Sequence, residues 1–164
     1  MTSPTLIDAG APPAQQKSER RVARPARRTI LVVEDDRDMR SLLSTTLLRD
    51  GYEVVECANG DDALDWLGPG VLEGDLERLP AAIITDVRLP YFTGLDILAG
   101  VRCAREAIPV ILITGFPDQD IYQQAFELGA CCVLPKPFRL DDLRGALWSA
   151  LQPSERPARR RRRR

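Results

Sequence analysis

Four short apolar runs in this chain each end at a side chain that can bind phosphate or a hard cation. The runs cover residues 30–33, 81–84, 110–113 and 132–134, and the side chains that follow them are Glu34, Asp35, Asp86, Thr114 and Lys136. Such runs, bounded by turn residues, are typical of strands buried on both faces of a parallel sheet. Parallel strands point the same way, so their carboxyl ends lie along one edge, where open α/β folds bind ligands. The pattern predicts one crevice that contains carboxylates, a hydroxyl and an ammonium group.

Strand and helix signals alternate through the central part of the chain. A weaker strand with a more polar face is predicted over residues 53–57, as expected near the edge of a sheet. Apolar residues at helical spacing predict five helices between and after the strands. This alternation is typical of βαβ units, so the sequence predicts an α/β fold with five strands and five helices.

Several helix ends are marked by residues with capping preferences. The N-caps are predicted at Thr93 and Asp118, and the terminating glycines at Gly51 and Gly129. The second helix is predicted to be short, over residues 61–67, because Gly68, Pro69 and Gly70 follow it. A longer connection then leads to the third strand.

The net charge of −1 hides a strong segregation along the chain. Residues 1–28 carry +4, residues 29–152 carry −11 and residues 153–164 carry +6. The two terminal segments have no hydrophobic periodicity and are predicted to be disordered. We therefore expect one acidic domain over residues 29–152 between two basic tails, with no output domain after it. The arginine-rich C-terminal tail is able to contact nucleic acid weakly, to fold back on the acidic domain, or to remain without a specific partner.

Composition excludes several classes of function. The chain has no histidine, which removes histidine-based catalysis and any histidine-containing metal site. Its four cysteines show no CxxC spacing and are expected to be reduced thiols of a cytoplasmic protein. No apolar run approaches the roughly 18 residues of a membrane span, and the N-terminus does not resemble a secretory signal.

The residues at the strand ends suit phosphoryl transfer to a carboxylate. Asp86 is the candidate nucleophile, because a carboxylate can accept a phosphoryl group. Glu34 and Asp35 can hold Mg²⁺, which prefers oxygen ligands. Thr114 can donate a hydrogen bond to a phosphoryl oxygen. Lys136 is one of 2 lysines against 21 arginines, which indicates a need for a compact point charge.

Each of these residues also has an ordinary structural interpretation. Asp36, or less readily Asp35, can cap the helix that follows the first strand. Asp86 alone is compatible with the start of a loop, and Thr114 alone with an ordinary strand end. Only their shared placement at strand ends favours a functional site.

The combination of these residues resembles the receiver domain of bacterial response regulators, over roughly residues 29–152. The resemblance is carried by Glu34-Asp35, Asp86 with Pro90 and Gly94 downstream, Thr114-Gly115, and Lys136-Pro137-Phe138. It implies a flavodoxin-like (βα)₅ fold, a five-stranded parallel sheet in the order 2-1-3-4-5 with helices on both faces. It also implies that Asp86 takes a phosphoryl group from the phosphohistidine of a sensor histidine kinase or phosphotransfer protein.

The same resemblance implies a set of Mg²⁺ ligands. They are Asp35, Asp86 and the backbone carbonyl of Arg88, with Glu34 reaching the ion directly or through water. The resemblance further implies a cis peptide bond between Lys136 and Pro137. Signals would leave through the face formed by the fourth helix, fifth strand and fifth helix, toward an unidentified protein target.

One position departs from the family pattern, and two pairs of residues bear on how the switch and its lifetime work. Val133 stands where the family often has an aromatic ring that swings inward, which argues against a rotating-aromatic switch. Tyr122 and Phe126 on the fourth helix are equally able to contribute to the output face or to pack inward. Arg88 and Phe116, each two residues beyond a site residue, form a bulky pair that is expected to slow hydrolysis of the acyl phosphate.

The sequence thus predicts a phosphorylation-dependent signalling module that is not an enzyme beyond phosphorylation and dephosphorylation of its own Asp86. One alternative is a pseudo-receiver that binds its partner constitutively. Another is a phosphohydrolase of the haloacid-dehalogenase type, although those enzymes place the nucleophile after the first strand and the acidic pair late in the chain.

Overall fold

The computed structural model describes residues 28–75, 77–104 and 107–152. The strands are β1 (Thr29–Val33), β2 (Glu53–Cys57), β3 (Ala82–Asp86), β4 (Val110–Thr114) and β5 (Cys132–Pro135). The helices are α1 (Arg37–Arg49), α2 (Gly60–Glu73), α3 (Gly94–Cys103), α4 (Gln119–Glu127) and α5 (Leu140–Ala150). Apart from Arg28, the residues of the two predicted disordered tails lie outside this range, and so does the predicted nucleic-acid contact of the C-terminal tail.

The five strands form one parallel sheet in the order β2-β1-β3-β4-β5, which confirms the predicted α/β topology. The register places the strand ends at nearly the same level. Val33 pairs with Thr85, and Asp86 pairs with Ile113. Thr114 pairs with Pro135, the last residue of β5. The residues that end or follow β1, β3, β4 and β5 therefore meet at one edge of the sheet.

Alternate residues of the buried strands supply two separate hydrophobic layers. Leu31 and Ile83 face the layer that α2, α3 and α4 cover, whereas Ile30 and Ile84 face the layer under α1 and α5. Every residue of β3 and β4 is buried, because helices cover both faces of these central strands. This packing holds the carboxyl edge of the sheet on a rigid base.

The second helix is longer than the sequence predicted. It continues through Pro69 to Glu73 and ends at Gly74, which has a left-handed backbone (φ 65°). Pro69 is on the exposed side of α2. Gly70 packs so closely on the following loop that a Cβ there would lie 2.9 Å from Leu79 Cδ2. Packing against the loop therefore outweighs the local helix-breaking preference of this segment.

The other predicted helix ends agree with the structure. Thr93 and Asp118 are the N-caps of α3 and α4, and each accepts a hydrogen bond from a backbone N–H of the first turn. Gly51 and Gly129 follow the C-caps of α1 and α4 with positive φ angles. No helix in the described part of the chain is long and apolar enough to cross a membrane.

Candidate functional site

Three carboxylates converge at the carboxyl edge of the sheet. Glu34, Asp35 and Asp86 each have an oxygen within 4.8 Å of the others. Glu34 is 1% exposed and Asp86 is 7% exposed, whereas the Asp35 side chain is open to solvent. The structure therefore brings together the acidic pair and the candidate nucleophile in one shallow, half-open cluster.

Lys136 joins two of these carboxylates. Its Nζ atom donates to Glu34 Oε2 at 2.8 Å and also to the Asp86 carboxylate. Burial raises the pKa of Glu34, and the neighbouring ammonium group opposes only part of that effect. Burial alone would lower the pKa of Lys136, but its hydrogen bonds to Asp86 and Glu34 raise the pKa overall. Lys136 is thus held in its charged form beside the Asp86 carboxylate.

Asp86 is oriented by the chain on either side of it. The backbone N–H of Arg88 donates to Asp86 Oδ1 at 2.7 Å, which fixes the carboxylate plane. On its other side α3 begins so close that a Cβ on Gly94 would lie 2.3 Å from the carbonyl oxygen of Asp86. Only glycine fits there, which gives a physical reason for the glycine that follows Asp86 and Pro90 in the receiver-like pattern.

Thr114 ends β4 and is fully buried. Its Oγ1 atom accepts a hydrogen bond from the Phe116 backbone N–H at 3.1 Å, so the hydroxyl proton stays available for donation. Its carbonyl oxygen accepts from the Lys136 N–H at 2.7 Å, which links the ends of β4 and β5. The peptide bond between Lys136 and Pro137 is cis, as expected.

The two neighbouring aspartates after β1 have different positions. Asp36 is the N-cap of α1, and its Oδ1 atom accepts from the Met39 N–H at 2.7 Å. Asp35 instead contributes an oxygen to the carboxylate cluster. The structural interpretation offered by the sequence therefore applies to Asp36, while Asp35 remains free to act as a ligand.

A cation–aromatic contact connects the two loops beside the cluster. The guanidinium carbon of Arg88 lies 4.0 Å from the centre of the Phe116 ring. Both side chains are exposed, and both residues donate their backbone N–H groups to the site, to Asp86 and Thr114. The predicted bulky pair is thus in direct contact.

One side chain close to the cluster was not predicted. Arg40 donates from Nη1 to the carbonyl oxygen of Glu34 at 2.6 Å, and its Nε atom lies 3.4 Å from Glu56 Oε2. Arg40 stands one turn into α1, and long helical side chains lean back over the preceding turn. That placement was the signal available in the sequence.

The residues of the cluster fit a magnesium ion. Mg²⁺ binds oxygen ligands at about 2.0–2.1 Å, so two opposite ligands lie about 4.2 Å apart. The three carboxylate oxygens are already within 4.8 Å of one another. Glu34, Asp35 and Asp86 would hold the ion, with the Arg88 carbonyl as the further ligand that the family resemblance implies.

Two other sequence-based expectations concern the face formed by α4, β5 and α5. Val133 is buried at 7% exposure in the core, where it leaves no ring to rotate. Tyr122 packs against the hydrophobic core, whereas Phe126 is 56% exposed, and the two rings stack with centres 6.5 Å apart. Tyr122 thus packs inward, whereas Phe126 is left exposed on α4.

The fold and the site are those of a phosphoacceptor signalling domain, and comparison with known families identifies the family directly. The family model of the response regulator receiver domain matches residues 30–147. The chain belongs to this family. Receiver domains are modules of two-component response regulators, and phosphorylation-dependent signalling is their general function.

Individual relatives show how the match is distributed. The chain is 32% identical over 118 residues to sporulation initiation phosphotransferase F of Bacillus subtilis, covering 72% of this chain and 89% of that protein. It is 35% identical over 131 residues to the DNA-binding transcriptional regulator NtrC of Rhizobium meliloti, where it spans 79% of this chain but only 25% of the relative. The structure of the chemotaxis protein CheY4 of Vibrio cholerae matches with a TM-score of 0.67 and 29% identity, over 77% of this chain and all of that one.

Proposed function

We propose that this protein is a phosphorylation-dependent signalling module of a two-component system or phosphorelay. It accepts a phosphoryl group on Asp86 from a histidine kinase or a phosphotransfer protein in the cytoplasm. The observation that carries the proposal is the position of the Asp86 carboxylate, between the Lys136 ammonium group and the acidic pair Glu34 and Asp35. The first relative, which the chain covers almost completely, is itself called a phosphotransferase.

The reaction follows from the groups around Asp86. A carboxylate oxygen of Asp86 forms a bond to phosphorus as the phosphorus–nitrogen bond of the donor imidazole breaks, and the imidazole leaves. Mg²⁺, when bound, neutralises the charge of the phosphoryl oxygens. Lys136 can transfer its hydrogen bond from Asp86 to a phosphoryl oxygen, because its ammonium group has three donors. The Arg88 N–H holds the other carboxylate oxygen in place.

The output follows from Thr114. Its hydroxyl proton is available, and donation to a phosphoryl oxygen would pull the threonine and the loop that contains Phe116 toward Asp86. That loop leads directly into α4. On the face formed by α4, β5 and α5, the Phe126 side chain of α4 is exposed, which suits a protein target that reads the change. The absence of an aromatic ring at position 133 leaves the threonine and its loop as the moving parts.

The decisive experiment is the mass of the intact full-length protein after incubation with acetyl phosphate and Mg²⁺. We expect a gain of one phosphoryl group per chain, and no gain in Asp86→Ala. The matched control is Asp96→Ala, which removes an exposed carboxylate of the α3 capping box and should leave the mass gain intact. A mass gain in Asp86→Ala would show that another residue is the acceptor.

The alternative of a pseudo-receiver predicts no mass gain from any donor. A protein that is phosphorylated only by its own kinase also gives none with acetyl phosphate. The two are separated by binding of beryllofluoride with Mg²⁺, which imitates a phosphoryl group on a carboxylate. Binding that depends on Asp86 supports the proposal, whereas absence of binding favours the pseudo-receiver.

The Arg88–Phe116 contact is expected to lengthen the life of the phosphorylated state. Phe116→Ala removes the ring that Arg88 covers and opens the approach of water to Asp86. An exposed cation–aromatic contact contributes about 0.5–1 kcal/mol, so we expect hydrolysis to be roughly twofold to fivefold faster. The measurement is the decay of phosphorylated protein after removal of the donor. Phe126→Ala, on α4 away from this contact, is the control and should hydrolyse at the native rate. A native hydrolysis rate in Phe116→Ala would contradict the prediction.

A further inference from the structure

Arg40 makes the side-chain contacts that support the turn between β1 and α1. Its Nη1 atom donates to the Glu34 carbonyl at 2.6 Å and lies 3.4 Å from the Asp35 carbonyl. The Arg40 side chain is only 17% exposed, and Glu56 on the neighbouring strand balances its charge. Arg40 therefore binds the backbone of both acidic residues without touching either carboxylate.

This backbone needs support because it carries two carboxylates that come from different surroundings and meet in one cluster. Glu34 is buried against Lys136, while the next residue, Asp35, is exposed, and each contributes an oxygen to the cluster. A small rotation of the peptide between them would move both carboxylates. Outer-shell residues that hydrogen-bond to metal-ligating residues commonly change metal affinity by about 10-fold to 100-fold when they are removed.

The geometry points to Arg40 as the residue that positions Glu34 and Asp35 for Mg²⁺. The inference rests on the proposed function, since it assigns the acidic pair to the metal. It adds a residue on α1 that acts through the two carbonyl oxygens and is not itself a ligand. The planar guanidinium contacts the two carbonyls through Nη1 and Glu56 through Nε, whereas a lysine would have to reach all three acceptors from one nitrogen.

The test is the Mg²⁺ dissociation constant of the unphosphorylated full-length protein, measured by titration calorimetry without any phosphodonor. We expect Arg40→Gln to weaken binding about tenfold. Arg40→Lys keeps the charge but loses the planar guanidinium, so its Mg²⁺ affinity should lie between those of Arg40→Gln and the native protein. A simple effect of charge has the opposite sign, because removing a cation near carboxylates strengthens the binding of Mg²⁺.

Glu56→Gln is the matched control. It removes the ion pair of Arg40 but keeps the donors to the two carbonyls, so we expect a change in Mg²⁺ affinity of no more than about twofold. Equal or stronger Mg²⁺ binding by Arg40→Gln would overturn the inference, as would a loss in Glu56→Gln that equals the loss in Arg40→Gln. If Arg40→Gln does not fold, the Mg²⁺ affinities of Arg40→Lys and Glu56→Gln are compared instead. Weaker binding by Arg40→Lys than by Glu56→Gln supports the inference, and equal binding overturns it. Failure of the native protein to bind Mg²⁺ would instead contradict the proposed function.

Discussion

Lys136→Gln is expected to lower the rate of phosphorylation by acetyl phosphate at least about 100-fold. Loss of one donor that stabilises developing charge typically lowers a rate by about 10²–10³. Lys136 is placed for this role, since it already contacts the Asp86 carboxylate and its pKa is raised by that contact and by Glu34. The rate is measured as the growth of the phosphorylated mass at saturating Mg²⁺.

The same substitution should destabilise the metal-free protein. It leaves Glu34 and Asp86, which are almost fully buried, without their cation. We expect a loss of about 2 kcal/mol in the free energy of unfolding, below the usual cost of breaking a buried ion pair because the lysine is partly exposed. Saturating Mg²⁺ should restore most of the loss, since the ion supplies the missing positive charge.

Arg139→Gln is the control for this experiment, because it removes a cation three residues away. The Arg139 side chain is 82% exposed, and its Nη2 atom lies 3.7 Å from Asp141, which is also exposed. We expect no measurable change in phosphorylation rate or in the response to Mg²⁺. A rate for Lys136→Gln within tenfold of the native rate would contradict the assigned role of Lys136.

The sequence was sufficient to predict the sheet and the convergence of the site residues. Buried parallel strands have continuous apolar runs, and the order of such runs along the chain restricts the positions of their carboxyl ends. Asp86, Thr114 and Lys136 were identified because each comes directly at or after such a run. The strand order itself came from resemblance to the family, because apolar runs alone do not determine which strands are neighbours.

The sequence was less informative where packing or local geometry decides between two allowed outcomes. Gly68-Pro69-Gly70 is a strong breaker signal, yet the loop packs on Gly70 and extends α2 to Glu73. Arg40 appeared as an ordinary helical arginine, because its position one turn into α1 allows contact with the preceding turn but does not specify the Glu34 carbonyl as its partner. For Asp35 and Asp36 the sequence favoured Asp36 as the cap, which the structure confirms, but only the family resemblance named Asp35 as the ligand, since the two residues are chemically identical and adjacent.

Asp35→Ala is expected to weaken Mg²⁺ binding by at least about 100-fold. Loss of a residue that only hydrogen-bonds to a ligand already costs a metal site up to about 100-fold in affinity, and Asp35 is itself a proposed ligand. Asp35 is exposed and caps no helix, so the free energy of unfolding without Mg²⁺ should be unchanged or slightly higher. A slight gain is reasonable, because the substitution removes one of three neighbouring negative charges. Titration calorimetry and urea unfolding in a chelator measure the two quantities separately.

Asp36→Ala should show the opposite pattern. It removes the side chain that accepts the Met39 N–H, and loss of an N-cap typically costs about 1 kcal/mol of stability. The Mg²⁺ dissociation constant should change by no more than about threefold, since Asp36 contributes no oxygen to the cluster and the turn keeps its contacts with Arg40. Asp36→Asn, which retains a capping oxygen, should recover the stability. If Asp36→Ala lost Mg²⁺ binding while Asp35→Ala kept it, the role of metal ligand would have to be assigned to Asp36 instead of Asp35. The carboxylate cluster would then not be the magnesium site in the form proposed above.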